Sequence, residues 1–253
     1  MSLSFISFKK GLFDLSGRLS SCVGEDCCQW RGIDCNNISG HVTKLDLRNQ
    51  FESNTLNSTY DGDFWINSLL GGEISSSSIY LKFLFYLDLS WNDFEGIRIP
   101  EFLCMIENLM YLNLSSSLFY GEIPPHLGNL SSLMHLGLHG NFNMHAKNLG
   151  WLSSLSSLKF LDMGGVNLSG ARADWLHAVN MLPSLMELHL SRCGIKSLPS
   201  LPFYNFTSLF VLDLSYNNFS SSIPHWLFNL NSLTKLHFSF IYFQITIPYD
   251  FVN

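Results

Sequence analysis

The chain has 253 residues, of which 47% are apolar and only 13% are charged, and its formal net charge is −6 at pH 7. With only 14 Lys and Arg residues it has no basic stripe, which argues against nucleic acid or an anionic membrane as the main partner. No apolar run approaches the roughly 18 residues that a membrane-spanning helix needs, so we expect no membrane span.

The first 40 residues have a pattern of their own. Apolar residues recur with the spacing of one helical face, at Phe5, Phe8, Leu12 and Leu15. Four cysteines follow, at Cys22, Cys27, Cys28 and Cys35. We predict a helix and then a disulfide-stapled turn. The apolar start before Lys9 is too short for a secretory signal, so we expect no export signal in the chain as written.

From His41 onwards one motif recurs, Leu-x-Leu with a third apolar residue three positions upstream. From Leu87 to Leu236, successive copies of the motif are 24, 25 or 27 residues apart. The central pairs are Leu45/Leu47, Leu87/Leu89, Leu112/Leu114, Leu136/Leu138, Leu161/Met163, Leu188/Leu190, Leu212/Leu214 and Leu236/Phe238. This period is typical of a leucine-rich-repeat solenoid, because so small a unit must stack on its neighbours to bury its apolar face.

The repeat predicts the whole architecture. We expect an α/β solenoid, a right-handed superhelix with a parallel β-sheet on its concave face. Residues 1–40 would form a helical, disulfide-bonded cap over the open end of the first coil. Residues 41–253 would form an array of about eight repeats, truncated inside the last one, and the chain would therefore be an N-terminal fragment.

Two units depart from the regular period. The first motif is separated from the second by 42 residues, and we interpret residues 50–70 as a mobile insertion loop without helix or strand. The longest regular unit contains the sequence ADWLHAVNML, whose apolar spacing predicts one or two helical turns.

Two features of the coil interior recur after the second leucine. Three residues beyond it, polar side chains can bind turn backbone groups of adjacent coils, at Asn92, Asn141, Cys193 and Asn217. At the same position Ser117, Val166 and Ile241 fit less well. Two residues further, a stacked aromatic spine is predicted from Phe94, Phe119, Phe219 and Phe243.

The residues that alternate with the strand leucines point outward, and together with residues nearer the strands' ends they are the candidates for ligand contact. The candidates are Tyr86, Trp91, Tyr111, His135, His139, Phe160, His189, Arg192, Tyr216 and His237. Exposed aromatic residues anchor ligands because they lose little side-chain entropy, and we expect Tyr86, Trp91 and Tyr111 to cluster. The Asp and Ser of the LDLS strands are expected to form a solvated face. The histidines would make binding sensitive to acidic pH.

The sequence resembles the plant leucine-rich-repeat receptor-like proteins. The motifs that carry the resemblance are CCQWRGIDC, YLDLS, YLNLS, GEIPPHLGNLSSL and SSIPHWLFNL. The sequences of these motifs are most similar to those of the subgroup that resembles receptors for fungal ethylene-inducing xylanase (EIX). The resemblance implies a non-catalytic ectodomain on the extracellular side of the plasma membrane. It would bind a protein or peptide elicitor in plant immunity and signal through a co-receptor kinase with leucine-rich repeats.

The same resemblance implies a disulfide between Cys28 and Cys35, which closes around Trp30. A second bridge between Cys22 and Cys27 remains open. Zinc binding by Cys27, Cys28, Cys35 and His41 is disfavoured, because adjacent cysteines lack the usual Cys-x2-Cys spacing. We expect no metal, cofactor or enzymatic activity.

Seven Asn-x-Ser/Thr sites are candidates for glycosylation, at Asn37, Asn57, Asn113, Asn129, Asn167, Asn205 and Asn218. A glycan at Asn113 would obstruct the concave face. Two alternatives to the receptor remain: a secreted protein similar to the plant polygalacturonase inhibitors, and an inactive truncated gene product.

Overall fold

The structure is a computed structural model that describes residues 8–21, 26–50, 66–75, 81–171, 174–201, 203–219 and 223–240. Several predictions concern residues outside these ranges. They are those for Phe5, for the pairing of Cys22, for most of the insertion loop with its site at Asn57, and for the last repeat from Ile241 with Phe243.

The concave face is a nine-stranded sheet in the order β13, β12, β11, β10, β8, β6, β5, β3, β2. Its strands are β2 (Ile33–Cys35), β3 (Val42–Asp46), β5 (Tyr86–Asp88), β6 (Tyr111–Asn113), β8 (His135–Gly137), β10 (Phe160–Asp162), β11 (Glu187–His189), β12 (Val211–Asp213) and β13 (Lys235–His237). All neighbours are parallel except β2, which pairs antiparallel with β3. The strand leucines are in register from coil to coil, and the predicted solenoid is confirmed.

The strand leucines form one continuous core. Leu87, Leu112, Leu136 and Leu161 have 2% or less of their surface exposed. Short 3-10 helices return the chain on the other side, at Glu101–Met105, Pro125–Asn129, Gly150–Ser154, Ser169–Ala171 and His225–Asn229. The predicted helix in the longest unit is α1 (Trp175–Asn180), and its first residue, Trp175, is buried. A small flanking sheet pairs β7 (Tyr120–Glu122) with β9 (Asn143–His145).

The polar ladder inside the coils is confirmed. The Nδ2 of Asn141 donates to the carbonyl oxygens of Leu114 and Leu138, both at 2.8 Å. Its Oδ1 accepts from the backbone N–H groups of Ser117 and Phe119 at 3.3 and 3.0 Å. Each such side chain therefore joins two coils by satisfying turn groups that would otherwise be buried without partners.

Other rungs and the spine follow the same period. Asn217 repeats the arrangement by donating to Leu190 and Leu214. The rings of Phe94 and Phe119 stack at 5.3 Å, as predicted for the spine, whereas Phe219 packs edge-on against Phe238.

The cap contains a strand where a continuous helix was predicted. Residues 8–10 are helical, but β1 (Leu12–Asp14) then pairs antiparallel with β4 (Leu70–Gly72). The prediction of helix through Leu15 was wrong because a three-residue strand is too short to show its own alternation. The end of the predicted loop was also wrong, since Leu70 is buried in β4.

Arg18 links this cap to the first coils. Its guanidinium donates to the carbonyl oxygens of Leu47 and Ser68 and to the Oδ1 of Asn92, each at 2.9 Å. The carboxylate of Asp14 accepts from two backbone N–H groups that follow β1. One side chain therefore joins three segments that are distant in sequence.

The disulfide implied by the resemblance is present. Cys28 and Cys35 are bonded, with their Cα atoms 5.6 Å apart, and Trp30 is buried beside them. Cys27 is a buried free thiol. The sulfur atoms of Cys27, Cys28 and Cys35 lie within 4.8 Å of one another, but the disulfide occupies two of them.

Candidate functional site on the concave face

Four rings form a continuous stack across the concave face. Tyr86, Tyr111, His135 and Phe160 occupy the same position on β5, β6, β8 and β10. Their successive centroids are 4.1, 4.1 and 4.2 Å apart, and neighbouring ring planes differ by 10° or less. We call this set the aromatic column. It forms because parallel, in-register strands place equivalent side chains one strand spacing apart.

Both ends of the aromatic column are bounded by other side chains. The Nζ of Lys44 on β3 lies 5.1 Å from the centroid of Tyr86. At the other end His189 lies 5.4 Å from Phe160, with its ring tilted by 38°. His189 lies two residues after Glu187 on β11, at the next position whose side chain points outward. Its Nε2 is 3.4 Å from the carboxylate of Glu187. The column is therefore a bounded surface of four strands.

A carboxylate is buried beneath the first two rings. Asp88 is 1% exposed, and its Oδ1 accepts from the hydroxyl and the backbone N–H of Ser90 at 2.6 and 2.9 Å. The hydroxyls of Tyr86 and Tyr111 lie 3.4 and 3.3 Å from its Oδ2. The prediction that these LDLS residues form a solvated face was wrong here, because the tyrosine rings cover them.

The titration of the two tyrosines follows from this burial. Burial, the neighbouring Tyr111 and the Asp88 carboxylate raise the pKa of Tyr86 far above its ordinary value. Burial and Asp88 also raise the pKa of Tyr111. Both phenols therefore keep their protons and can donate hydrogen bonds to Asp88.

Two neighbouring histidines titrate in opposite directions. Burial in the stack lowers the pKa of His135 to about 4, so its ring is neutral at mildly acidic pH. The Nδ1 of His139 lies 3.6 Å from the Oδ1 of Asp162, and that carboxylate raises the pKa of His139. Of these two, His139 is therefore the one that carries positive charge at mildly acidic pH.

A second cluster lies where the later strands end. The guanidinium of Arg192 lies 4.4 Å from the ring centroid of Tyr216, and the ring of Phe240 stacks on Tyr216 at 4.7 Å. A depression of about 370 Å³ lies beside them and is also lined by His139 and Asp213. We call it the distal pocket.

The backbone at this cluster is in an unusual conformation. Arg192, Tyr216 and Phe240 have φ values of 56°, 59° and 55°, in the left-handed region that favours glycine. The equivalent positions in the earlier coils are also left-handed, at Trp91, Ser116, Gly140 and Gly165. A bulky side chain in this region costs on the order of 1 kcal/mol, so the turn is a property of the repeat that these three side chains accept.

The remaining candidates lie outside the aromatic column. Trp91 is 41% exposed and occupies the turn after β5, and its place in the predicted cluster with Tyr86 and Tyr111 stays a prediction. His237 is exposed on β13, beside Asp213 of β12. Asn113 is half-buried on β6, whereas five other possible glycosylation sites are exposed: Asn37, Asn129, Asn167, Asn205 and Asn218.

The sequence analysis missed an apolar column beside the rings. Phe85 and Met110 precede the column tyrosines and are 44% and 42% exposed. The backbone N–H of Met110 donates to Phe85, and that of Met134 donates to Met110, so these residues are also aligned. Their regular period was the available signal, but residues next to buried leucines are easily interpreted as core.

The chain is similar to known protein families over much of its length. Residues 2–36 match the leucine rich repeat N-terminal domain family, and residues 108–130 and 183–240 match leucine rich repeat families. Receptor-like protein EIX1 of Solanum lycopersicum is 42% identical over 243 residues, which cover 92% of this chain and 23% of that protein. Receptor-like protein EIX2 of the same species is 43% identical, with 93% and 23% covered. The chain thus spans about a quarter of their length.

A solved structure shows the same fold. The Arabidopsis receptor kinase HAESA, in complex with the peptide hormone IDA and the co-receptor SERK1, matches with a TM-score of 0.67 and 22% identity. The match covers 96% of this chain and 42% of HAESA. Among the described helices, none has the length and apolarity that crossing a bilayer requires.

Proposed function

Because the chain belongs to the plant leucine-rich-repeat receptor-like proteins of the EIX subgroup, we propose that its concave face binds a protein or peptide elicitor. The chain would act as a non-catalytic recognition ectodomain in plant immunity. It would lie on the extracellular side of the plasma membrane. Since the chain spans 23% of the length of its relatives, signalling by the whole protein is part of the proposal.

The aromatic column is the observation that carries this proposal. Its four rings are partly exposed, and each is held by stacking on its neighbours. A preorganised aromatic surface loses little side-chain entropy when a ligand covers it, and aromatic residues dominate the energetics of many protein interfaces. Core packing does not require these side chains, because the strand leucines already fill the interior.

A co-receptor kinase would carry the signal onward. HAESA, which shares the fold, was solved with a peptide hormone and the co-receptor SERK1. We propose that a kinase with its own leucine-rich repeats plays the equivalent part here. The support is family membership and the shared architecture.

Binding to secreted fungal proteins tests the proposal. A panel of such proteins, which includes an ethylene-inducing xylanase, is tested for binding to the purified chain by biolayer interferometry. We expect Tyr111→Ala and Phe160→Ala each to weaken elicitor binding by about tenfold or more, as for central aromatic anchors.

Met105→Ala is the matched control, because Met105 is 71% exposed on the 3-10 helix opposite the sheet. This variant should bind the elicitor as the unmodified chain does. If a panel member binds both column variants as tightly as the unmodified chain, the concave face is not the recognition surface. If no panel member binds, the chain does not recognise elicitors of this class.

A further inference from the structure

Basic residues converge at the beginning of the concave face. A cavity of about 290 Å³ is lined by Arg18, Arg31, Lys44 and Arg48, and we call it the basic pocket. These are four of only 14 Lys and Arg residues in a chain of net charge −6. Their concentration at one place is therefore a local exception to the acidic balance.

The charges in the basic pocket do not cancel. Its lining carboxylates are Asp34 and Asp46, so four cations face two acids and an excess of two positive charges remains. The Nζ of Lys44 is 3.6 Å from Asp34 and 4.0 Å from Asp46. The Nε of Arg48 is 3.4 Å from Asp46. Burial raises the pKa of Asp46, and the nearby Arg48 and Lys44 oppose that shift.

The guanidinium groups of Arg31 and Arg18 donate their hydrogen bonds to oxygens that do not belong to carboxylates. The Nη2 of Arg31 donates to the Oε1 of Gln50 at 3.1 Å, and Arg31 itself is exposed. The guanidinium of Arg18 donates to carbonyl and amide oxygens of the first coils. Within the described ranges, neither guanidinium has an acid within ion-pair distance. The Arg18 guanidinium is influenced by Asp14 and Asp46 without direct contact, so the positive charge of Arg31 is the one most available to a ligand.

A glycine in the lining of the basic pocket allows two backbone segments to approach closely. Gly32 has a φ of +84°, and its carbonyl accepts from the N–H of Asp46 at 2.7 Å. A Cβ at this position would clash with the carbonyl oxygen of Asp46. Glycine therefore holds the turn that carries Arg31 against β3, which carries Lys44 and Asp46.

Lys44 connects the basic pocket with the aromatic column. Its ammonium group lines the cavity and also lies 5.1 Å from the ring centroid of Tyr86. A ligand group held in the basic pocket would therefore place its neighbouring residues against the first ring of the column.

We propose that the basic pocket binds an Asp, Glu or C-terminal carboxylate of the peptide segment that the aromatic column recognises. The inference rests on the proposed function, which it deepens by defining one chemical feature of the ligand. The planar guanidinium groups of Arg31 and Arg48 suit a carboxylate, because they donate parallel hydrogen bonds to its two oxygens. Lys44 adds a point charge, and the aromatic residues of the ligand lie on the column.

The test uses a fluorescein-labelled peptide, Glu-Glu-Glu-Tyr-Phe-Gly, and its binding to the whole chain is measured by fluorescence anisotropy. We expect the double variant Arg31→Gln/Arg48→Gln to weaken peptide binding by about tenfold or more. Gln in place of the three Glu residues of the peptide should weaken binding similarly. Raising NaCl from about 0.05 M to about 0.5 M should also weaken it, because the groups are partly exposed.

Lys235→Gln is the matched control, since Lys235 is an exposed cation on the same sheet at its other end. It should leave peptide binding unchanged, and thermal unfolding of all variants should show that they remain folded. Arg31→Lys/Arg48→Lys keeps the charge but loses the planar donors, so its binding should be intermediate.

Three results would overturn the inference. They are absence of peptide binding, equal binding by the Arg-to-Gln double variant, and tighter binding of a galacturonate tetramer, which would assign the basic pocket to a polysaccharide. Loss of elicitor binding in Tyr111→Ala alone, with no effect of the double variant, would refute the basic pocket and leave the proposed function standing.

Discussion

The imidazole of His135 lies 4.1 Å from the ring of Tyr111 and within 10° of parallel to it. A histidine has thus replaced an aromatic ring in the middle of a stack without interrupting it. The geometry requires a flat, neutral side chain at this position, and burial in the stack keeps the ring neutral by lowering its pKa to about 4. The aromatic column is therefore coupled to pH.

Stability should fall in mild acid because of His135. Its folded pKa of about 4 lies below the ordinary histidine value of 6.5, so the unfolded chain binds the proton more readily. The stabilising effect is complete above pH 6.5 and is lost as the pH falls towards 4. Between pH 7 and pH 5 we expect His135 to account for a loss of about 2 kcal/mol. Urea denaturation of His135→Phe should lack this loss, and an unchanged pH dependence would contradict the assignment.

His139 should show the opposite behaviour. Asp162 raises its folded pKa, so the added stability is present below the unfolded pKa and disappears as the pH rises through the folded one. The effect on stability is small because the side chain of His139 is 47% exposed. Titration by NMR should show a lower pKa for His139 in Asp162→Asn, and a smaller change in Asp213→Asn.

The polar ladder predicts a large cost for one small change. Asn141→Ala leaves two carbonyl oxygens and two N–H groups of adjacent coils without their partner. Each buried unsatisfied group costs about 1–3 kcal/mol, so we expect a loss of at least about 3 kcal/mol in the free energy of unfolding. Asn143→Ala, at an exposed position of β9, should change stability by less than about 0.5 kcal/mol. Denaturant titrations of both variants would reveal equal effects if the ladder were unimportant.

Asn113 should be unmodified in the folded protein. Its Nδ2, the atom that would carry a glycan, lies 3.4 Å from Asp88 and 3.5 Å from the hydroxyl of Tyr111. Its Oδ1 accepts from the N–H of Ser115 at 3.0 Å. A chain modified here before folding could not form this network. Glycopeptide mass spectrometry on the folded fraction should therefore find Asn113 bare. Occupancy equal to that of the exposed Asn129 would disprove this.

Features that depend on the repeat period were predictable from the sequence. The register of Leu87, Leu112 and Leu136, the ladder at Asn141 and the alignment of Tyr86 with Tyr111 all follow from one spacing. Because successive coils stack in register, equivalent side chains also lie face to face. A periodic sequence therefore specifies neighbours in space almost as directly as neighbours in the chain.

Features that depend on non-periodic contacts were not predictable. The strand β1 owes its existence to β4, more than fifty residues away, and no local pattern distinguishes it from the end of a helix. Asp88 is buried because two particular tyrosines cover it, whereas its motif alone favours a solvated side chain. The basic pocket gathers Arg31 and Arg48 from different strands and turns, without a shared spacing.

The in-register stacking of the coils bears on how such a repeat protein changes over generations. Each ring of the aromatic column stacks on rings of the adjacent coils. Duplication of a single unit by unequal crossing-over would therefore lengthen the surface by one strand spacing and leave the other coils undisturbed. New ligand specificities can arise by insertion or deletion of whole repeat units, as well as by substitution of single side chains.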